Sequence, residues 1–96
     1  MVAYLIGELD VKDAQGYGDY AKDSPKAVLK FGGRYIARGG RTTTLEGEDP
    51  PSRVVIVEFP SMENATAFYN SKEYQTIIPL RQAAAAGRLF VVEGVA

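Results

Sequence analysis

The stretch Ser52-Arg-Val-Val-Ile-Val-Glu-Phe-Pro-Ser61 constrains this chain more than any other. Five of the six residues from Val54 to Phe59 are β-branched or aromatic, which suits an extended, packed backbone. Pro50-Pro51 precedes the run, Pro60 stops it, and Ser61 is placed to cap a helix. Alternation sets Val55, Val57 and Phe59 on one face and Val54 and Ile56 on the other. Both faces of this strand therefore need cover. Arg53 and Glu58 stand near its two ends as charges that need partners.

The rest of the chain supplies elements to pack around that strand. Residues 2–11 alternate, with Tyr4, Ile6, Glu8 and Asp10 on one side and Ala3, Leu5, Gly7, Leu9 and Val11 on the other. Gly7 removes a side chain from mid-strand, as close packing or room for a ligand requires. Residues 13–31 carry Tyr17, Tyr20, Ala21, Ser24, Val28 and Phe31 at helical spacing, with a kink or restart expected at Ser24-Pro25 and a left-handed cap at Gly32-Gly33. A short strand is expected over residues 34–38, an edge strand at 42–45, and a loop at 46–51. A helix opened by Ser61 should break at Asn70-Ser71, restart under a Ser71 cap, kink at Pro79 and end at Gly87. Residues 88–95 then form the last strand.

The order β-α-β-β-α-β predicts a single α+β domain over residues 1–96 with the ferredoxin-like arrangement. Right-handed crossovers give an antiparallel four-stranded sheet of order 4-1-3-2, with two kinked helices on one face. A one-sided sheet would carry polar residues on its open face, and this one does not. The open face is therefore expected to meet a second copy, making a homodimer through sheet faces, a dimeric α+β barrel. Apolar residues on both faces leave open which one the helices cover.

Composition narrows the chemistry. The 96 residues include no cysteine and no histidine, which removes thiolate nucleophiles, Ser-His-Asp catalysis and the usual ligands of zinc and haem. No metal site or cofactor is expected, and acid–base work falls to Asp, Glu, Lys, Tyr or the substrate. A net charge of −1 without a basic block argues against nucleic acid. No run approaches the length of a membrane span, and residues 1–8 lack a basic leader, so the chain reads as soluble and cytoplasmic.

Several stretches together look familiar. Phe31-Gly-Gly-Arg-Tyr-Ile-Ala-Arg-Gly-Gly40, Leu45-Glu-Gly47, Arg53-Val-Val-Ile-Val-Glu-Phe-Pro-Ser61, Phe68-Tyr-Asn-Ser-Lys-Glu-Tyr-Gln75 and Arg81 resemble the domain of unknown function 1330 family, nearly end to end. The resemblance implies the dimeric α+β barrel fold. Its wider superfamily includes cofactor-independent monooxygenases, muconolactone isomerase-like enzymes and stress-responsive barrel proteins. The family itself has no settled activity, and the fold alone does not supply one.

Three groups of residues can carry function. Topology is expected to bring Glu8, Asp10, Arg38 and Arg53 to one sheet edge, with Arg81 arriving from the second helix. Arginines so gathered would bind a carboxylate or enolate, or would pair structurally with the acids. Tyr17, Tyr20, Tyr69 and Tyr74 would line an aromatic pocket, with Ser71 at its mouth, or would sit at the core edge. Ser71 also reads as a helix cap. Glu58 would be a proton acceptor on a buried face, alongside Asp10, or would be paired across the dimer. These residues fit a small enzyme of oxygenase, isomerase or lyase type acting on an anionic or aromatic metabolite. They also fit a non-catalytic binding or stress-related dimer, or a scaffold.

Overall fold

The computed structural model describes residues 1–95. Four strands, β1 (Ala3–Val11), β2 (Arg34–Arg38), β3 (Arg53–Phe59) and β4 (Ala85–Glu93), form one antiparallel sheet of order β2-β3-β1-β4. The helices are α1 (Ala14–Lys30), α2 (Met62–Asn70) and α3 (Lys72–Ala84). This is the expected ferredoxin-like topology, and the strand rich in Val and Ile lies inside the sheet between β1 and β2.

Local chemistry starts each helix as expected. Asp13 accepts from the Gly16 N–H, Ser61 from Asn64 and Ser71 from Tyr74, each at 3.1 Å. Gly32, at φ +82°, closes α1, with the Gly33 N–H donating to the Val28 carbonyl at 2.9 Å. No second helix starts at Ser24-Pro25, because α1 runs through Pro25 unbroken. The break between α2 and α3 falls at Ser71, while α3 continues across Pro79.

The register settles which face the helices cover. Ala3, Leu5, Leu9, Val57 and Phe59 are buried beneath them with Val28, Ala65, Phe68, Tyr74 and Ile78. Phe68 links the layers, its ring centroid 5.2 Å from Phe59 and 4.3 Å from Tyr74. The other face carries a cross-strand row of Phe90, Ile6, Ile56 and Ala37. Tyr4, Val54 and Val92 extend that row. Two ion pairs flank it, Arg34–Glu58 and Arg88–Glu8, each at 2.9 Å. Phe90 and Val92 remain 38% and 47% exposed.

Two expectations are corrected. Residues 42–45 form no strand, and Leu45 is almost fully exposed; Thr44 donates instead to Asp49 within the loop. The second helical segment ends at Ala84, not Gly87. The alanines favour a helix, but the Lys12 and Asp13 N–H groups both donate to the Ala84 carbonyl, and Ala85 already pairs with Val11. Gly87 is thus a strand residue, at φ +154°, and a Cβ there would run into the Glu8 carbonyl oxygen. We expect Gly87→Ala to destabilise the fold by about 2 kcal/mol or more, through overpacking against rigid backbone. Urea unfolding checks this; an unchanged midpoint would contradict it.

Candidate functional site

A small cavity of about 30 Å³ lies between α1 and the helix-covered face of the sheet, room for roughly two waters. Gly7 helps make the space. Its neighbours across the strands are Val55 and Leu89, and a Cβ on Gly7 would come within 3.0 Å of Leu89 Cδ2. The inner face of α1 supplies Tyr17, Tyr20 and Ser24. The first turn of α3, positioned by the Ser71 cap, supplies Tyr74. From β2 come Tyr35 and Arg38. Simple alternation would set Tyr35 and Arg38 on opposite faces, but the register shifts between Tyr35 and Ala37, and this bulge brings both to the cavity.

The Tyr20 and Tyr74 hydroxyls share a buried 2.6 Å hydrogen bond. Burial drives the Tyr20 phenol far above its usual range, and the neighbouring Tyr74 adds to the rise. Burial also raises Tyr74, against the pull of its bond to Tyr20 and the charge of Arg81. Both rings therefore stay protonated; one hydroxyl spends its proton on the other, which leaves a single O–H free to donate.

Two arginines tie α1 to the sheet. Pro25 has no N–H, so the Ala21 carbonyl one turn earlier lacks its helical donor. Arg38 Nη2 donates to that carbonyl at 2.7 Å while its guanidinium lies 4.5 Å from the Tyr35 ring centre. Arg53 Nε donates to the Tyr17 hydroxyl at 3.1 Å and stacks 4.9 Å from the same ring.

Among the residues singled out from sequence, Tyr17, Tyr20, Arg38 and Tyr74 line the cavity, and Arg53 stands at its edge through Tyr17. Tyr69 and Arg81 line a neighbouring cleft between α2, α3 and β4. Ser71 spends its hydroxyl on the Tyr74 N–H and the Phe68 carbonyl. Glu58 and Asp10 project from the opposite face, where Glu58 pairs with Arg34 and Asp10 with Lys12, the latter at 2.7 Å. The expected gathering of Glu8 and Asp10 with Arg38 and Arg53 does not form. Arg53 pairs with Leu9 and faces the helices, whereas Glu8 and Asp10, one residue either side of Leu9, face away. Ser24 and Tyr35 were not picked out as site residues; only the β2 bulge brings Tyr35 in, and no residue pattern announces it.

A family model described as domain of unknown function (DUF1330) matches residues 2–95. The chain belongs to that family. A protein of unknown function from Rhodopseudomonas palustris is similar over 99% of this chain and 83% of its own, at 21% identity and a TM-score of 0.81. SnoaB, a cofactor-independent oxygenase from Streptomyces nogalater, is similar over 99% and 94%, at 9% identity and a TM-score of 0.71. At such identities these likenesses show the fold. None of the curated protein sequences matches at a significant level.

Because the folded state holds the Tyr20 and Tyr74 protons more tightly than the unfolded chain does, their contribution is complete below about pH 10 and is lost as pH rises further. Unfolding free energy should fall above that pH by up to about 1.4 kcal/mol per pH unit per group. Tyr20→Phe should flatten this slope. Equal slopes in the two proteins, by urea unfolding at stepped pH, would contradict the assignment.

Proposed function

We propose that this DUF1330 protein is a homodimer whose helix–sheet cavity binds a small aromatic metabolite with an ionisable oxygen and holds it as its anion. That is the species from which cofactor-independent oxygenation or isomerisation proceeds. The observation that carries this reading is the protonated Tyr20–Tyr74 pair lining the same small, mostly apolar cavity as Arg38. The pair's one free O–H and a guanidinium at one site stabilise a phenolate or enolate over its neutral form, and low polarity strengthens both.

No Asp, Glu or Lys lines this cavity. Glu58 and Asp10, on the far face, are out of reach as bases. The substrate must therefore be acidic enough to lose its proton to water. The same feature favours the second reading, a dimer that binds such a ligand without changing it. A ring does not fit in about 30 Å³, so entry requires α1 to swing outward. The Arg38–Ala21 and Arg53–Tyr17 bonds are the ties that open, and Pro25 weakens α1 at that point. A cofactor-independent oxygenase with the same fold, SnoaB, lends support to the catalytic reading.

The dimer rests on the apolar row Phe90, Ile6, Ile56 and Ala37, flanked by ion pairs on the uncovered sheet face. An isologous partner would bury this row against its own copy. No helix among the described residues is long and apolar enough to cross a membrane, and we place the protein in the cytoplasm.

The chromophore 4-nitrophenol tests the site, because its phenolate absorbs apart from its phenol. Bound probe should ionise at lower pH than free probe, and Arg38→Gln should weaken phenolate binding about tenfold, near 1.4 kcal/mol. Saturating protein that leaves the ionisation where it is in water would sink the anion-binding reading. Oxygen uptake with enolisable aromatics separates the oxygenase from the binding dimer. Sedimentation should show a dimer at micromolar concentration and a monomer for Ile56→Lys; a monomeric parent protein would remove the dimer.

A further inference from the structure

Arg81 stands beside the tyrosine pair, where its charge and a hydrogen bond act on Tyr74, but it lines a different space. Only 7% of it is exposed, its Nε is buried without a hydrogen-bond partner, and it pairs with no carboxylate among the described residues. A buried cation left unpaired is costly. It lines a cleft of about 340 Å³ between α2, α3 and β4, within the roughly 300–1,000 Å³ typical of small-ligand sites. Leu5 and Leu89 line both spaces and form the partition between them.

We infer that this cleft is a second, separate site, which takes a small organic monocarboxylate with Arg81 as its anchor. Thr66, Asn70 and Gln82 supply neutral polar groups in the cleft, and Tyr69 supplies aromatic surface for the rest of the ligand. No Asp or Glu lines the cleft to compete for the guanidinium. Arg88, also in the lining, is already neutralised by Glu8 at 2.9 Å. One free positive charge matches a monoanion, whereas a dianion such as phosphate would bring a second charge without a counterpart. The planar guanidinium favours a carboxylate through paired hydrogen bonds. The ligand's carboxylate would supply the counter-charge that no carboxylate of the described residues supplies.

The test is amide and arginine Nε–H chemical-shift mapping of the intact protein with sodium benzoate, and with benzamide as its uncharged counterpart. Benzoate should give saturable shifts at Thr66, Tyr69, Arg81 and Gln82. Benzamide should bind about tenfold more weakly or worse. Arg81→Met should lose benzoate binding while keeping or gaining thermal stability, since it removes an unpaired buried charge. Three results would overturn the inference: no saturable shifts in the unaltered protein, equal binding of benzamide, or shifts confined to Tyr17, Ser24, Tyr35 and Arg38. The last would place the probe in the tyrosine cavity. The mapping on the unaltered protein decides the matter even if Arg81→Met fails to fold.

Discussion

The antiparallel pairing of β1 with β3 is the constraint on which the rest depends. Ile6 lies opposite Ile56 and Leu5 opposite Val57. The two strands are apolar on both faces, so this register decides at once which residues join the helix-covered core and which form the open row. A slip of one residue would carry Leu5, Leu9, Val57 and Phe59 out to the open face and set Glu8 and Glu58 beneath the helices. Each would leave the arginine it now pairs with. The alignment is therefore held by charge as well as by packing: on the open side Glu58 meets Arg34 and Glu8 meets Arg88.

Above that sheet, α1 is fastened by polar bonds over a space that the sheet leaves empty at Gly7. Pro25 creates the need for one fastening, and Arg38 meets it at the Ala21 carbonyl. Arg38 thus carries a structural duty beside any duty to a ligand, donating to a carbonyl that the helix leaves free. Arg53 divides itself the same way, holding the Tyr17 hydroxyl while standing at the edge of the cavity. Arg81 differs from both. Its Nε is buried without a hydrogen-bond partner, and no carboxylate of the described residues pairs with it.

Much of the fold was legible because it rests on local signals. The caps at Ser61 and Ser71, the left-handed Gly32, the alternation in β1 and β3 and the strand order all follow from residue type and spacing. The departures come where distant backbone outweighs local preference. Ala85 and Ala86 favour a helix, yet pairing with Val11 and Asp10 draws them into β4. Thr42, Thr43 and Thr44 suit a strand but have no neighbouring strand to complete, and they stay in the loop. Of the site, Arg38, Arg53 and Tyr74 were legible, while the partition of arginines from acids was not. That partition follows from Leu9 pairing with Arg53, a fact of register rather than of composition.

The amino-acid sequence by itself determined the element order, the antiparallel sheet with its twice-apolar inner strands, and the absence of histidine and cysteine chemistry, because each is a property of neighbouring residues or of residue type. Only the tertiary structure decided which face the helices cover, that Tyr20 reaches Tyr74 across 54 positions of chain, and that Arg81 is buried without a counter-ion among the described residues. Those outcomes depend on register, a bulge in β2 and the meeting of helices far apart in the chain. Such contacts are set by the packing of the whole domain, and no short stretch of residues encodes them.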